Sequence, residues 1–246
     1  MWIDTHCHTK YSYDNWLEPV DLIRRAKALG IDAVCITEHY SYEASEPVEQ
    51  VGRDEGLLVL RGVEIATDRG HLLAYGVEDD SWNRWGRDNY LPLHEVIARI
   101  NTLGGICVPA HPFREVGLAC LLEGLLDVQG IAAVETHNGN NSDGDNALAL
   151  RAADLMDLPT LGGSDCHKTA AVGRCATRFT RPVTCMADFI AAVRERECSG
   201  FYFPGYLQAQ QGRTGLAEPI PAPTCHAGPD PASSGARGMD CGSGPQ

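Results

Sequence analysis

Five short groups of imidazole and carboxylate side chains punctuate this chain, each beside a stretch that reads as a β-strand. They are His6-Cys7-His8 with Asp14, Glu38-His39, Glu64 with His71, His111, and Asp165-Cys166-His167. A zinc-type site uses three or four protein ligands, so this set exceeds the needs of one ion. The recurrence constrains the fold as well. Donors delivered at the ends of successive strands meet only if those strands lie side by side with the same ends together. The expected result is a multinuclear metal centre at one end of a barrel of parallel strands.

The remaining pattern agrees with alternating strands and helices. Trp2 to Thr5 opens as a strand. A helix follows with Val20, Leu22, Ile23, Ala26 and Leu29 on its apolar side, and Gly30 stops it. Strands are predicted over 33–37, 57–63, 72–75, 106–108 and 131–134, and over 201–203 near the end. Helices are predicted from Pro92 through Leu103, over 118–126, over 146–156 and over 188–197. The fold class is therefore α/β, a distorted barrel of about seven parallel strands with helices outside. Residues 1–204 form one domain. From residue 205 to 246 Gly, Pro, Ser, Ala and Gln dominate and no apolar period survives, so this stretch reads as a disordered tail. Cys225, His226 and Cys241 within it fit no compact zinc module.

Composition excludes some roles. At 246 residues and 43% hydrophobic, the chain has enough apolar material for a real core. A net charge of −13 argues against coating duplex nucleic acid. It leaves a nucleotide substrate open, because bound cations reverse the local sign. The first residues show no basic and apolar leader, and no apolar run spans a membrane. The ten cysteines then read as reduced thiols in a cytoplasmic protein.

Within the donor groups, spacing suggests orientation. His6 and His8, two apart, face one side of a strand and can grip one ion, with Cys7 turned away. Asp165 and His167 repeat that spacing after Gly162-Gly163. Of Glu38 and His39, His39 is expected at the barrel mouth and Glu38 behind it. Glu64 is a carboxylate and can bridge two cations, which an imidazole cannot. His71 begins a strand, so its direction is less constrained. Prolines on both sides of Ala110-His111 fix that ring. Arg114 is placed either to bind a phosphate bidentately or to sit at the surface; Lys168 is a weaker candidate. His94 reads as an exposed helix residue, and His137 as a supporting group or a substrate contact. Trp82, Arg84, Trp85 and Arg87 either meet a substrate or cap the barrel.

The runs His6-x-His8-Thr9-x-x-Ser12-x-Asp14, Thr37-Glu38-His39, Gly62-Val63-Glu64, Ala110-His111-Pro112 and Gly163-Ser164-Asp165-x-His167 resemble, in order, the signature of PHP-domain proteins, the polymerase and histidinol phosphatase superfamily. The resemblance spans residues 3–180, and 109–179 is similar to the associated C-terminal segment. It implies a distorted seven-stranded β/α barrel and metal-dependent phosphoesterase activity at a trinuclear centre. By the same resemblance His6, His8, Glu64 and Asp165 hold one ion. Glu64 bridges to a second held by His71 and His111, and Asp14, His39 and His167 hold the third. Glu64, Asp165 and Arg114 are the implied catalytic residues, and the ions are Mn2+, Zn2+ or Fe2+. Asp14, a histidine in some members, resembles the nucleotide-phosphatase branch. The expected reaction is attack of a metal-activated hydroxide on phosphorus. The expected substrate is a small phosphate ester, a nucleotide or a short oligonucleotide. Two alternatives are an amidohydrolase-type C–N hydrolase and a histidinol-phosphate phosphatase. A non-enzymatic metal-binding module is a third.

Overall fold

A computed structural model describes residues 1–80, 82, 90–115 and 120–214. Strand β1 (Trp2–Cys7) lies near the middle of a curled seven-stranded sheet. β2 (Ala33–Ile36) pairs parallel to β1, and β3 (Leu58–Thr67) parallel to β2. β4 (Gly70–Tyr75) turns back on β3 as a hairpin, and β5 (Ile106–Pro109) pairs antiparallel to β4. A separate parallel pair, β6 (Val134–Asn138) and β7 (Thr160–Gly163), follows. β8 (Cys175–Phe179) then adds antiparallel to the other edge of β1, and β9 (Cys198–Tyr202) adds antiparallel to β8.

The expectation of uniformly parallel strands is thus corrected. The architecture is mixed α/β, with parallel pairs only at β1–β2, β2–β3 and β6–β7 among the described residues. Only Asp68 and Arg69 separate β3 from β4, too short a connection for a parallel crossover. The β6–β7 pair meets the larger sheet through isolated hydrogen bonds. The Asp165 amide donates to the His6 carbonyl at 2.7 Å, and Ala132 N to the Cys107 carbonyl at 2.9 Å. Thr5 Oγ1 donates to the Gly162 carbonyl at 3.0 Å.

Helix α1 (Pro19–Leu29) buries Leu22, Ile23, Ala26 and Leu29 as its period requires, and ends at Gly30 in the left-handed region (φ 82°). These side chains share a core with Val34 and Ile36 of β2. α2 (Glu46–Glu55) was not anticipated, since it buries only Val48 and Gly52. α3 (Leu93–Thr102) buries Leu93, Val96, Ile97 and Ile100, while Leu103 is exposed. Residues 116–119 of the helix expected over 118–126 lie outside the described residues, and 122–127 form a 3-10 turn instead. α4 (Asp143–Met156) starts with a capping box between Ser142 and Asp145. α5 (Met186–Arg194) joins β8 to β9. The stretch expected to be disordered begins instead with α6 (Pro204–Thr214), where proline at the first turn suits a helix start. Residues 215–246, with Cys225, His226 and Cys241, lie outside the described residues. No helix among the described residues is long and apolar enough to cross a membrane.

Candidate metal centre

The ends of β1, β2, β3, β5 and β7, the start of β4 and the loop after β1 deliver their donors to one cluster, buried at Glu64 and open at Asp14 and His167. His6 Nε2 and His8 Nε2 approach within 2.9 Å. Glu64 Oε2 lies 3.4 Å from the first and 3.1 Å from the second. Asp165 Oδ1 lies 3.7 Å and 3.5 Å from the same two nitrogens. The other oxygen of Glu64 faces a second group, with His71 Nδ1 at 2.8 Å and His111 Nε2 at 3.1 Å. In a third group Asp14 Oδ2 lies 3.3 Å from His39 Nε2 and 3.4 Å from His167 Nε2. His39 Nδ1 in turn sits 3.2 Å from Glu64 Oε2. Donors arranged tetrahedrally about 2.1 Å from one ion stand about 3.4 Å apart. The separations, 2.8 to 3.7 Å, lie on both sides of that value, and each group mixes nitrogen with carboxylate oxygen, so the residues fit divalent ions.

Local structure explains the convergence. His71 and Glu64 share a face of the β3–β4 ladder, because Glu64 pairs with Leu73 and His71 is two residues away. His111 (φ 31°) and Asp165 (φ 49°) both adopt left-handed backbone, a strained state for residues with side chains. At Asp165 the turn breaks the two-residue period. Asp165 Oδ1 therefore faces His6 and His8, while His167 Nε2 faces Asp14. Gly163 sits against β1: a Cβ there would lie 2.3 Å from His6 Cβ and 2.6 Å from His6 N.

Burial and charge set the protonation pattern. Burial opposes charge on His6, but Glu135, Asp165 and Glu64 outweigh it and hold its pKa well above the ordinary value. Burial and the neighbouring His39 push His8 down to about 4, leaving its ring neutral. Burial works against the Glu64 carboxylate, yet His6, His39 and His71 keep it ionised far below the usual range. A hydrogen bond donated by the His167 ring to the Asp14 carboxylate raises His167 to about 9 against the cost of burial. His6 Nε2 and His8 Nε2 would hold an ion only with neither nitrogen protonated, so ion binding there would release protons.

Two supporting carboxylates complete the site. Glu38, as expected, stands behind the mouth. It accepts from Thr9 N at 3.1 Å and from the Ser12 hydroxyl, which lies 3.2 Å from His8 Nδ1. Glu135 was not singled out from the sequence. It is fully buried, and its Oε1 lies 2.8 Å from His6 Nδ1. Its Oε2 accepts from His111 N at 2.7 Å and Asn138 Nδ2 at 2.9 Å. A proton on His6 Nδ1 leaves Nε2 as the free donor, so Glu135 fixes the tautomer that ligation needs. Replacing Glu135 with glutamine is expected to weaken metal binding about 10- to 100-fold. The amide oxygen must occupy the Oε2 position, where two donors point. The amide NH2 then faces His6 Nδ1 and drives the proton to Nε2. Titration with Mn2+ checks this; unchanged affinity would refute the positioning role.

Arg114 is neither free nor simply at the surface. Its guanidinium donates to Asp165 Oδ2 at 2.7 Å and to Asn138 Oδ1 at 3.1 Å, with 22% of the side chain exposed. Lys168 and His94 are exposed. His137 turns away from the cluster and packs against Phe201 and Tyr202 of β9. Trp82 is buried, with the Arg99 guanidinium 5.3 Å from its ring. Arg84, Trp85 and Arg87 lie outside the described residues.

Comparison with known proteins follows this geometry. The chain is 28% identical over 170 residues to an uncharacterised protein of Methanocaldococcus jannaschii, covering 65% of this chain and 94% of that one. It is 39% identical over 72 residues to a probable histidinol-phosphatase of Thermotoga maritima, of which it covers 31%. A 5′-3′ exoribonuclease of Haemophilus influenzae is 32% identical over 65 residues, or 23% of that protein. Among solved structures, PsfC of Pseudomonas syringae superposes with a TM-score of 0.64 at 21% identity, over 88% of this chain and 98% of that one. An amidohydrolase of Chromobacterium violaceum, solved with sulfate and without metal, gives 0.58 at 19% identity, over 79% and 96%. At such identities these two establish a shared fold. The PHP domain model matches residues 4–147, which hold seven of the nine donors, and the PHP-associated model matches 143–198, which hold Asp165 and His167. The chain belongs to the PHP-domain family and is a metal-dependent phosphoric ester hydrolase.

Proposed function

We propose that this phosphoesterase hydrolyses a small phosphate ester, a nucleotide or a short oligonucleotide, at a centre of three divalent ions. His6, His8, Glu64 and Asp165 hold the first ion, Glu64, His71 and His111 the second, and Asp14, His39 and His167 the third. One observation carries this reading: Glu64 offers one oxygen to each of two donor groups, and the third group adjoins it through His39. Bound divalent ions supply charge to neutralise phosphoryl oxygens and to acidify water at neutral pH. The chain's own residues place the substrate. Arg114 holds the outer oxygen of Asp165 and keeps guanidinium hydrogens at the mouth, where a phosphoryl oxygen is received. Asp165 is thereby fixed with Oδ1 toward the first group.

The histidinol-phosphatase and exoribonuclease relatives match only parts of their own length, so they support the phosphoester class and leave the leaving group open. Asp14, where some family members carry histidine, favours nucleotides. A histidinol-phosphate phosphatase is the second reading, favoured by the Thermotoga relative. A substrate panel decides between them. Protein loaded separately with Mn2+, Zn2+ and Fe2+ is expected to release phosphate from a nucleoside 3′,5′-bisphosphate or a short oligonucleotide. Turnover should exceed that of histidinol phosphate, and a chelator should abolish it. Metal analysis should find one ion per donor group. Faster turnover of histidinol phosphate than of any nucleotide, or full metal loading with no turnover of nucleotides, would overturn the proposal.

A further inference from the structure

The rim of the donor cluster has two chemically distinct sides. Beside Asp165 it is polar, with Arg114, Asn138 and Asn140 bonded to that residue. Beside Asp14 and His39 it is aromatic. The segment between β1 and α1 displays Tyr11, Tyr13 and Trp16 at 42%, 59% and 91% exposure. Side chains of this size ordinarily bury most of their surface. Looseness of the segment does not account for the display, because the residues between these rings are anchored. Ser12 is buried against His8 and Glu38. Asn15 is buried too, donating from Nδ2 to the Cys166 carbonyl at 3.0 Å and accepting from Leu17 N at 2.8 Å.

Tyr13 reaches the site itself. Its ring centroid lies 5.1 Å from that of His39, tilted 35°. Tyr40 follows His39 in left-handed backbone (φ 58°), with its ring centroid 6.4 Å from that of His39. The Tyr40 ring is partly buried against the core that includes Val63 and Ile65. A residue held in that backbone region costs energy, so its placement is imposed by its surroundings.

We propose that Tyr13, held against the His39 ring that Tyr40 also flanks, is a stacking shelf for the planar base of a nucleotide substrate, which lies over the Asp14–His39 side of the mouth while its phosphate lies over the donor cluster. This rests on the phosphoester reading above and assigns a specificity-determining residue to it. Stacking on an aromatic side chain tolerates every base. The shelf therefore selects nucleotides over aliphatic phosphates without selecting among bases.

The test compares adenosine 3′,5′-bisphosphate with glycerol phosphate on the Mn2+-loaded full chain. Dissociation constants come from calorimetry, and kcat/KM from phosphate release. In Tyr13→Ala, the preference for the nucleotide is expected to fall about fivefold to about a hundredfold, the range that one stacked base contributes. Tyr13→Phe, which keeps the ring, should retain the preference, and KM should carry the change. An unchanged ratio in Tyr13→Ala, an equal fall in Tyr13→Phe, or no nucleotide preference in the wild type would overturn the assignment. If the wild type turned over no phosphoester, the phosphoester reading would fail, while the calorimetric ratio would still decide the shelf.

Discussion

Glu64→Gln is expected to lower phosphoester turnover by at least about 1,000-fold, because supporting residues alone already cost 10- to 100-fold when removed. The physical reason is that one side chain serves two donor groups. Oε2 faces His6, His8 and His39, and Oε1 faces His71 and His111. An amide keeps one oxygen and presents hydrogens at the other position, so one group loses its anionic donor outright. The loss of charge also leaves several buried imidazoles without the carboxylate that balances them. Metal analysis should therefore find fewer ions per chain than in the wild type, with the Asp14–His39–His167 group the least affected. Wild-type ion content with wild-type turnover would eliminate Glu64 as the shared ligand.

Gly163→Ala is expected to lower stability by about 3 kcal/mol, at the upper end of the cost of overpacking a close contact. The added methyl would fall 2.3 Å from His6 Cβ, 2.6 Å from His6 N and 3.0 Å from His6 Cα. Those atoms are backbone, or the first side-chain atom rigidly attached to it, so no rotamer change relieves the clash. β7 must move off β1, and Asp165 moves with it, since its amide donates to the His6 carbonyl. For a domain of this size about 3 kcal/mol corresponds to a fall of about 6–12 °C in Tm. Melting should be compared in chelator, because bound ions raise Tm by mass action. A Tm within about 2 °C of wild type would show that the seam yields more easily than the contact suggests.

The donor set was legible because its side-chain types are rare together and recur beside strands, so position along the chain translated into position in space. Glu135 was not legible: a single glutamate inside Val134–Asn138 carries no type or spacing that separates it from a solvated one, and its role appears only when His6 and His111 arrive beside it. The antiparallel β3–β4 turn is only Asp68-Arg69 long, inside a chain whose strand and helix alternation otherwise points to parallel pairing. α2 escaped because its exposed face outnumbers its buried residues, leaving too weak an apolar period to find. The two-residue spacing of Asp165 and His167 does not put them on one face, and their neighbours differ, as the separate ions implied by the family resemblance require. A two-residue period holds only while the backbone stays extended, and the left-handed turn at Asp165 ends it.

The docking of β7 beside β1 has a kinetic corollary. Thr5 and Gly162, hydrogen-bonded across that contact, are separated by 157 positions in sequence. Closing so long a segment delays contact formation more than local hairpins do. During synthesis seven of the nine donors, His6 through His111, leave the ribosome before Asp165 and His167. A chain cut short before residue 160 would lack the strand that docks on β1 and one donor each from the first and third groups.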